Sequence, residues 1–263
     1  MTSAIKSFNL LGFKITPLTV DQLIGIVGDL VVTGSTGVIA SMNLHGVYSF
    51  FKDERFRALH LRDDTFVHID GMPIILMGRL CGLPVRREHR TAWIDWFMPL
   101  MAAAERNRWR TYYLGGNRAV LERGLARIRD VHRDLRIEGH DGYFDARPDG
   151  PENEAVIEAI NAFRPHLLVV GMGMGRQEHW ILDNIDRLQA NCIATSGACI
   201  EYFAGAVPTP PRWTGQIGLE WAYRLCTNPR RFAWRYLIEP WVTVGLMAAY
   251  HARRGLGLKR PQT

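Results

Sequence analysis

Cysteine is sparse in this chain and badly spaced for chemistry. Its four copies, Cys81, Cys192, Cys199 and Cys226, form no CxxC pair and no Cys/His cluster at zinc-ligand spacing. That excludes a disulfide framework and a structural zinc site, and reduced, structural thiols are expected. Long apolar runs are also missing. The longest, Pro240 to Tyr250, falls far short of the roughly 20 residues a spanning helix needs; it can lie in a membrane interface but cannot cross. The opening residues, MTSAIKSFNLLGFKITPL, lack an uninterrupted apolar core and a small-residue cleavage site, so no secretory signal is expected and the body should stay in the cytoplasm. No Asp-x-Asp pair stands at a strand end to hold a divalent ion, since Asp63 and Asp64 are adjacent and precede a predicted strand. Neither a metal nor a cofactor is expected.

Positive charge is what the chain has in one place. Residues 206–263 hold nine Lys/Arg against two acids and four of the eight tryptophans, while residues 1–205 carry 23 basic against 24 acidic side chains. A nearly neutral body with a basic, Trp-rich tail suggests a catalytic domain working against an anionic surface, because cationic side chains are drawn to anionic head groups and Trp to the water–hydrocarbon boundary. Composition shifts at Ala206-Val207-Pro208-Thr209-Pro210-Pro211, which no helix or central strand could run through. The expected division is therefore a catalytic domain over 1–205 and a basic helical appendage over 206–263, with helices over Ile217 to Cys226, Pro229 to Ile238 and Trp241 to Arg254.

Short apolar runs rich in β-branched and aromatic residues alternate with stretches of helical period, the pattern of βα units around a mainly parallel sheet. Predicted strands are Gly37 to Ser41, Thr65 to Ile69, Arg110 to Leu114, Leu135 to Glu138, His166 to Val170 and Cys192 to Thr195. A strand or hairpin over Phe8 to Ile15 is expected at one sheet edge. Helices are predicted over Val20 to Val32, Ile94 to Glu105, Arg118 to Asp134, Glu152 to Phe163 and Gln177 to Leu188. The fold class is α/β: a Rossmann-like sheet with flanking helices plus the C-terminal appendage.

In an open α/β sheet, ligands bind outside the carboxyl ends of the strands. Polar residues and glycines gather at those positions: Asn43, Asp70 with Gly71, Gly115-Gly116, the Gly171-Met172-Gly173-Met174-Gly175-Arg176-Gln177-Glu178 loop, and Ser196-Gly197. Two of these glycine turns join a strand to a helix, where backbone N–H groups can face a phosphate; the same glycines also suit tight turns with no ligand. The second loop fails as a dinucleotide fingerprint, because GxGxxG would need glycine at Arg176. Asp70 is either a buried turn-former or a general base. His68 is either a core residue or a group that tunes Asp70. Arg90 and Arg176 offer guanidinium forks to a diphosphate, and in the tail Arg224 and Arg231 stand among tryptophans.

Taken in order, Ser41-Met42-Asn43, Asp70-Gly71-Met72-Pro73, Arg90 with Asp95, Leu114-Gly115-Gly116, Gly142-Tyr143-Phe144, Gly171-x-Gly173-x-x-Arg176-Gln177-Glu178-x-Trp180-Ile181, Phe203-Ala204-Gly205, Gly218-Leu219-Glu220-Trp221-x-Tyr223-Arg224-Leu225 and Pro229-Arg230-Arg231 resemble the WecG/TagA/CpsF family of bacterial glycosyltransferases. The resemblance spans about Ser41 to Leu237. It implies an inverting, metal-independent hexosyltransferase that moves a sugar from a UDP-sugar to a sugar on a polyprenyl diphosphate, peripherally bound at the cytoplasmic face of the bacterial inner membrane. It further implies Asp70 as base, Ser41, Asn43, Gly71 and Gln177 in the site, and appendage arginines, matched by Arg224 and Arg231, on the diphosphate.

The sequence departs from the family pattern where Trp93 stands near a usual Thr-Gly, and this points away from N-acetylmannosamine as donor. The closest likeness is to the xanthan-type branch, which implies UDP-glucose as donor and a β-1,4 linkage to lipid-borne glucose in exopolysaccharide assembly; UDP-N-acetylmannosamine is the alternative within the family. The competing class is a non-enzymatic nucleotide- or nucleic-acid-binding module, with an oxidoreductase further behind. No nucleic-acid partner is expected, and homo-oligomerisation is left open.

Overall fold

A computed structural model describes residues 5–255, except for the side chains of Arg212, Gln216, Ile217, Arg231, Arg254 and Gly255. An antiparallel hairpin, β1 (Phe8–Leu10) and β2 (Phe13–Ile15), is followed by α1 (Val20–Thr33), β3 (Gly37–Met42), α2 (Leu44–Lys52), α3 (Glu54–Leu61), β4 (Thr65–Ile69), α4 (Met72–Leu80), α5 (Trp93–Arg106), β5 (Thr111–Gly115), α6 (Arg118–Val131), β6 (Ile137–His140), α7 (Pro151–Phe163), β7 (Leu167–Gly171), α8 (Arg176–Asn184), β8 (Cys192–Thr195) and α9 (Cys199–Phe203). The C-terminal part adds α10 (Arg212–Ile217), α11 (Glu220–Thr227), α12 (Pro229–Ala233) and α13 (Glu239–Gly255).

Six strands form one all-parallel sheet in the order β4-β3-β8-β7-β5-β6. The strands are apolar on both faces because helices cover both. Ile39, Tyr113, Val169 and Ala194 face α1, α5, α6 and α9, where Trp96, Phe97 and Leu100 fill the layer. Their neighbours Val38, Ala40, Tyr112, Leu114, Leu168, Val170 and Ile193 face α3, α7 and α8. This is the two-residue alternation of an extended chain, read on four strands at once. The hairpin lies outside the six-stranded sheet as its own two-stranded ribbon, tied to the edge strand β4 where the Thr16 N–H donates to the Val67 carbonyl at 2.7 Å.

Local chemistry sets the element ends. Thr19 and Gln22 form a reciprocal cap on α1, which stops at Gly34 with φ 68°. Asp53 ends α2 and caps α3, accepting N–H bonds from Arg55 and Phe56. The predicted break between two tail helices at Glu239-Pro240 is instead a π turn, Trp234–Ile238, that joins α12 to α13. Pro240 has no N–H to offer the carbonyl four residues back, and the Glu239 N–H reaches five back to Trp234.

The tail does not stand clear of the body. Leu246, Met247 and Tyr250 of α13 pack on the cluster containing Phe13, Phe50 and Phe51, with the Tyr250 and Phe51 rings 5.1 Å apart. The other side of the same helix leaves Trp241 and Val244 exposed, so the apolar run that can lie in an interface is shared between the protein core and the surface. Among the described residues no helix is long and apolar enough to cross a membrane.

His60 is fully buried, stacked 4.1 Å from Phe56, and burial lowers its pKa from 6.5 to about 4. A proton that binds the unfolded imidazole but not the folded one makes this contribution complete above pH 6.5 and lost as pH falls through about 4. Urea unfolding of the parent should lose more stability between about pH 7 and pH 5 than unfolding of His60→Leu, by about 2 kcal/mol over that whole interval. Parallel pH profiles for the two proteins would refute this.

Candidate active site

The parallel register of β3 and β4 pairs Met42 with Ile69, and the Asp70 N–H extends that ladder to the Met42 carbonyl at 2.9 Å. Asn43 and Asp70 therefore leave adjacent strands side by side at the carboxyl edge. Asn43 caps α2, and its Oδ1 accepts the Gly46 N–H at 3.1 Å. That commits the amide's orientation, so Nδ2 is left to donate to Asp70 Oδ2 at 2.9 Å. Gly71 leaves room for the pair, since a Cβ there would come within 3.3 Å of Asn43 Cβ.

Two cavities open around Asp70. One, of about 330 Å³, runs between the sheet edge and the tail and is lined by Ser41, Trp93, Gly173, Gln177, Ser196, Gly197 and Tyr202 among others. The second, of about 250 Å³, lies between Gly71, Met72, Pro73, Arg90 and Trp221. Asn43, His45, Asp70, Glu220, Arg224 and Arg235 line both, so the two are halves of one cleft with the Asp70 carboxylate at the join.

The larger half is stiffened by a hydrogen-bond relay. The Gly197 N–H donates to Gln177 Oε1 at 3.0 Å, and Gln177 Nε2 donates to Glu178 Oε1 at 2.7 Å. Glu178 also accepts from the Gly175 N–H. Burial pushes the Glu178 carboxyl up to about 7, against the hydrogen bonds that favour its charge. On the cleft floor Trp93 packs at a tilt on Trp96 with ring centroids 4.3 Å apart, and its buried indole N–H has no partner among the described residues. His68 lies beneath, fully buried, with its pKa lowered to about 4 by burial.

The roof is cationic. Arg224 lies over the Tyr202 ring at 5.6 Å and donates to Glu220. Burial opposes its charge, but Tyr202, Glu220, Tyr236 and Asp70 outweigh that and raise its pKa. Arg90 is held by Asp95 at 3.0 Å and by Glu220 at 2.6 Å, so its guanidinium is already committed to carboxylates while it lines the smaller half. Among the described residues, no three His, Cys, Asp or Glu side chains converge to hold a metal ion.

Of the residues expected in a site, the fold brings Ser41, Asn43, Asp70, Gly71, Arg90, Gly173, Gln177 and Arg224 to the cleft. Five others do not line either half. A Cβ on Gly115, whose φ is 153°, would stand 2.3 Å from the Gly171 carbonyl oxygen, one on Gly116 would meet Ile200, and one on Gly171 would meet the Tyr113 hydroxyl. These glycines serve close packing of strand and helix. Arg176 turns away to the Phe144 carbonyl at 2.8 Å, and Glu178 is sealed behind Gln177. The Arg231 side chain lies outside the described residues.

Sequence reasoning passed over His45, Tyr202, Glu220, Arg235 and Tyr236 as site residues, all of which line the cleft. One signal was available. Glu220 and Glu239 are the only two acids after Gly205, and both reach the body, Glu220 to Arg90 and Glu239 to His45 Nδ1 at 2.7 Å.

A carboxylate at the carboxyl edge of an all-parallel sheet, beneath a cationic roof, defines an α/β protein with a cleft at its strand ends, the place where open sheets hold their ligands. The pattern of the glycosyl transferase WecG/TagA/CpsF family matches residues 8–256. The chain belongs to that family.

Among its relatives, a Staphylococcus aureus (strain NCTC 8325 / PS 47) protein named N-acetylglucosaminyldiphosphoundecaprenol N-acetyl-beta-D-mannosaminyltransferase is 25% identical over 167 residues, 64% of this chain. The match spans 63% of that relative's length. A Bacillus subtilis (strain 168) protein of the same name is 27% identical over 204 residues, 77% of this chain and 75% of its own.

The packing glycines and the cleft glycines should respond differently to alanine. Gly115→Ala forces a methyl into a backbone carbonyl and should cost several kcal/mol or abolish soluble expression. Gly173→Ala meets open space and bears only the strain of φ 89°, about 1–3 kcal/mol. Thermal melts of the two variants check the ranking; equal losses would contradict it.

Proposed function

We propose that this chain is an inverting glycosyltransferase that moves a sugar from a UDP-sugar to a sugar carried on a polyprenyl diphosphate. The observation that carries the reading is the position of Asp70 at the join of two cavities roofed by shared arginines. The donor occupies the larger half, where Gln177, Ser196 and Gly197 supply polar groups. Its acceptor enters the smaller half, past Met72, Pro73 and Trp221. Asp70 takes the proton of the acceptor hydroxyl as that oxygen bonds to the anomeric carbon. The bond from that carbon to the diphosphate breaks, and its electron pair leaves with UDP.

Asn43 holds the carboxylate in place, and Arg224 with Arg235 receives the growing negative charge on the diphosphate in place of a metal ion. The exposed Trp234, Leu237, Ile238 and Trp241 of the appendage rest on the membrane, at its cytoplasmic face.

For the sugars, the relatives' names favour N-acetylmannosamine transferred to N-acetylglucosaminyl diphosphoundecaprenol. Trp93 in the wall of the larger half supports a second reading, UDP-glucose as donor to a glucosyl acceptor as in the xanthan-type branch, because the indole takes up space where a bulkier 2-substituent would sit.

UDP release should be measured with UDP-N-acetylmannosamine and UDP-glucose, each against short-chain lipid diphosphates bearing N-acetylglucosamine or glucose. One pairing is expected to turn over, undiminished by EDTA, and Asp70→Asn should slow it by about 10²-fold or more with an unchanged melt. Full turnover by Asp70→Asn would remove the base assignment, and salt-sensitive oligonucleotide binding without UDP release would favour the nucleic-acid reading.

A further inference from the structure

The helix that follows Asp70 is apolar nearly all the way round. In α4 (MPIILMGRL) the only polar side chain is Arg79. Its inner face is accounted for, since Ile74 and Ile75 are buried in the core and Gly78 sits where a Cβ would strike Val85. The outer face is not: Leu76 is 54% and Leu80 88% exposed. A helix that is hydrophobic on every side but half uncovered in a water-soluble body has an unmet partner.

Two further observations say what that partner is. Met72, Leu76 and Leu80 fall one turn apart, so the stripe begins at Met72 on the wall of the smaller half of the cleft and runs about 12 Å outward. The tail meets the same point, because a Cβ on Gly218 would lie 3.5 Å from Met72 Cβ and Trp221 lines the same half. The surface beside the stripe is cationic. Arg79, Arg86 and Arg87 are exposed, with Glu88 the single acid between Arg79 and Arg90, in a body whose overall charge is close to neutral.

We propose that α4 and the Arg86-Arg87 turn form a second membrane contact, on the body side of the cleft mouth, that seats on an anionic lipid surface. The proposal rests on the reading of the cleft as one that takes a lipid-borne acceptor. Such an acceptor must keep its hydrocarbon in the bilayer while its diphosphate and sugar reach Asp70, so the bilayer has to meet both lips of the mouth. The appendage supplies one lip and α4 the other.

The full-length chain, with Leu76→Gln/Leu80→Gln and Arg86→Gln/Arg87→Gln double variants, should be co-sedimented with vesicles of phosphatidylglycerol and phosphatidylcholine. Each double variant is expected to bind about tenfold more weakly or worse, and the arginine pair should make no difference on phosphatidylcholine alone. Melting temperature and turnover of a water-soluble short-chain acceptor should stay at parent values, because neither pair lines the cleft.

Parent-level vesicle binding by Leu76→Gln/Leu80→Gln overturns the proposal. So does a drop in sedimentation coefficient of that variant without lipid, which would make α4 a contact between two copies of the chain. A Trp234→Gln/Trp241→Gln variant separates the two readings: if it alone loses vesicle binding, the appendage contact stands and the α4 contact falls. A parent chain that binds no vesicles removes both, whereas vesicle binding lost by the α4 variants in a chain with no transferase turnover would leave this contact standing and the catalytic reading failed.

Discussion

The pairing of β3 with β4 fixes where this protein can hold a carboxylate. With Met42 opposite Ile69, the next residue on each strand emerges at the same rim, and one of them must satisfy the other. Asn43 can do so because its carbonyl oxygen is spent on the α2 cap, which turns its NH₂ toward Asp70. A slip of one residue would reverse every side chain on β4 and carry Asp70 to the buried position that Ile69 now holds. The same hydrogen-bonded edge aligns Arg90, whose backbone bridges Ile69 on the outer side of β4. Carboxylate, amide and guanidinium are thus set by a single stretch of sheet.

That stretch would form only an open shelf without the tail. Residues 206–255 turn the shelf into a cleft, and their attachment is asymmetric in charge. In a segment dominated by cations, both acids reach back to the body. Glu220 bridges Arg90 and Arg224, so a body arginine and a tail arginine share one carboxylate. This shared pair is partly buried, and its worth lies less in net stability than in specifying geometry. It holds Arg224 over Asp70 without letting the two guanidinium groups repel each other across the gap. An anion entering the cleft meets positive charge that is already oriented.

Much of the body was legible in the sequence, and the reasons for the gaps are physical. The six parallel strands were readable because buried strands are short, β-branched and bounded by turn residues; the observed ends differ from the expected ones by a residue or two. Helices α2, α3 and α4 were not. The first two are short and share Asp53 as the end of one and the cap of the other, so no long periodic stretch exists to detect. In α4 almost nothing polar returns at helical spacing.

Within the cleft, positions that follow a strand directly, such as Asn43, Asp70 and Gly197, could be inferred from topology alone. Adjacent motif residues could not be told apart, because neighbours on a helix point about 100° from each other: Gln177 faces the cleft while Arg176 and Glu178 do not. Arg235 and Tyr236 depend on the π turn before Pro240, whose consequence for side-chain direction is not written in periodicity.

The charge asymmetry of the sequence has two separate consequences once the tail is folded. Its simplest interpretation is a cationic patch for anionic lipid, with every arginine contributing alike. The structure divides the labour. Arg224 and Arg235 turn inward and line both halves of the cleft, while Trp213, Trp234 and Trp241 stay on the outside. One helical segment therefore carries an inner surface suited to phosphate and an outer surface suited to a lipid boundary. Removing the whole segment would take away both surfaces together, so the two can be separated only by single side chains chosen from opposite sides of the same turns.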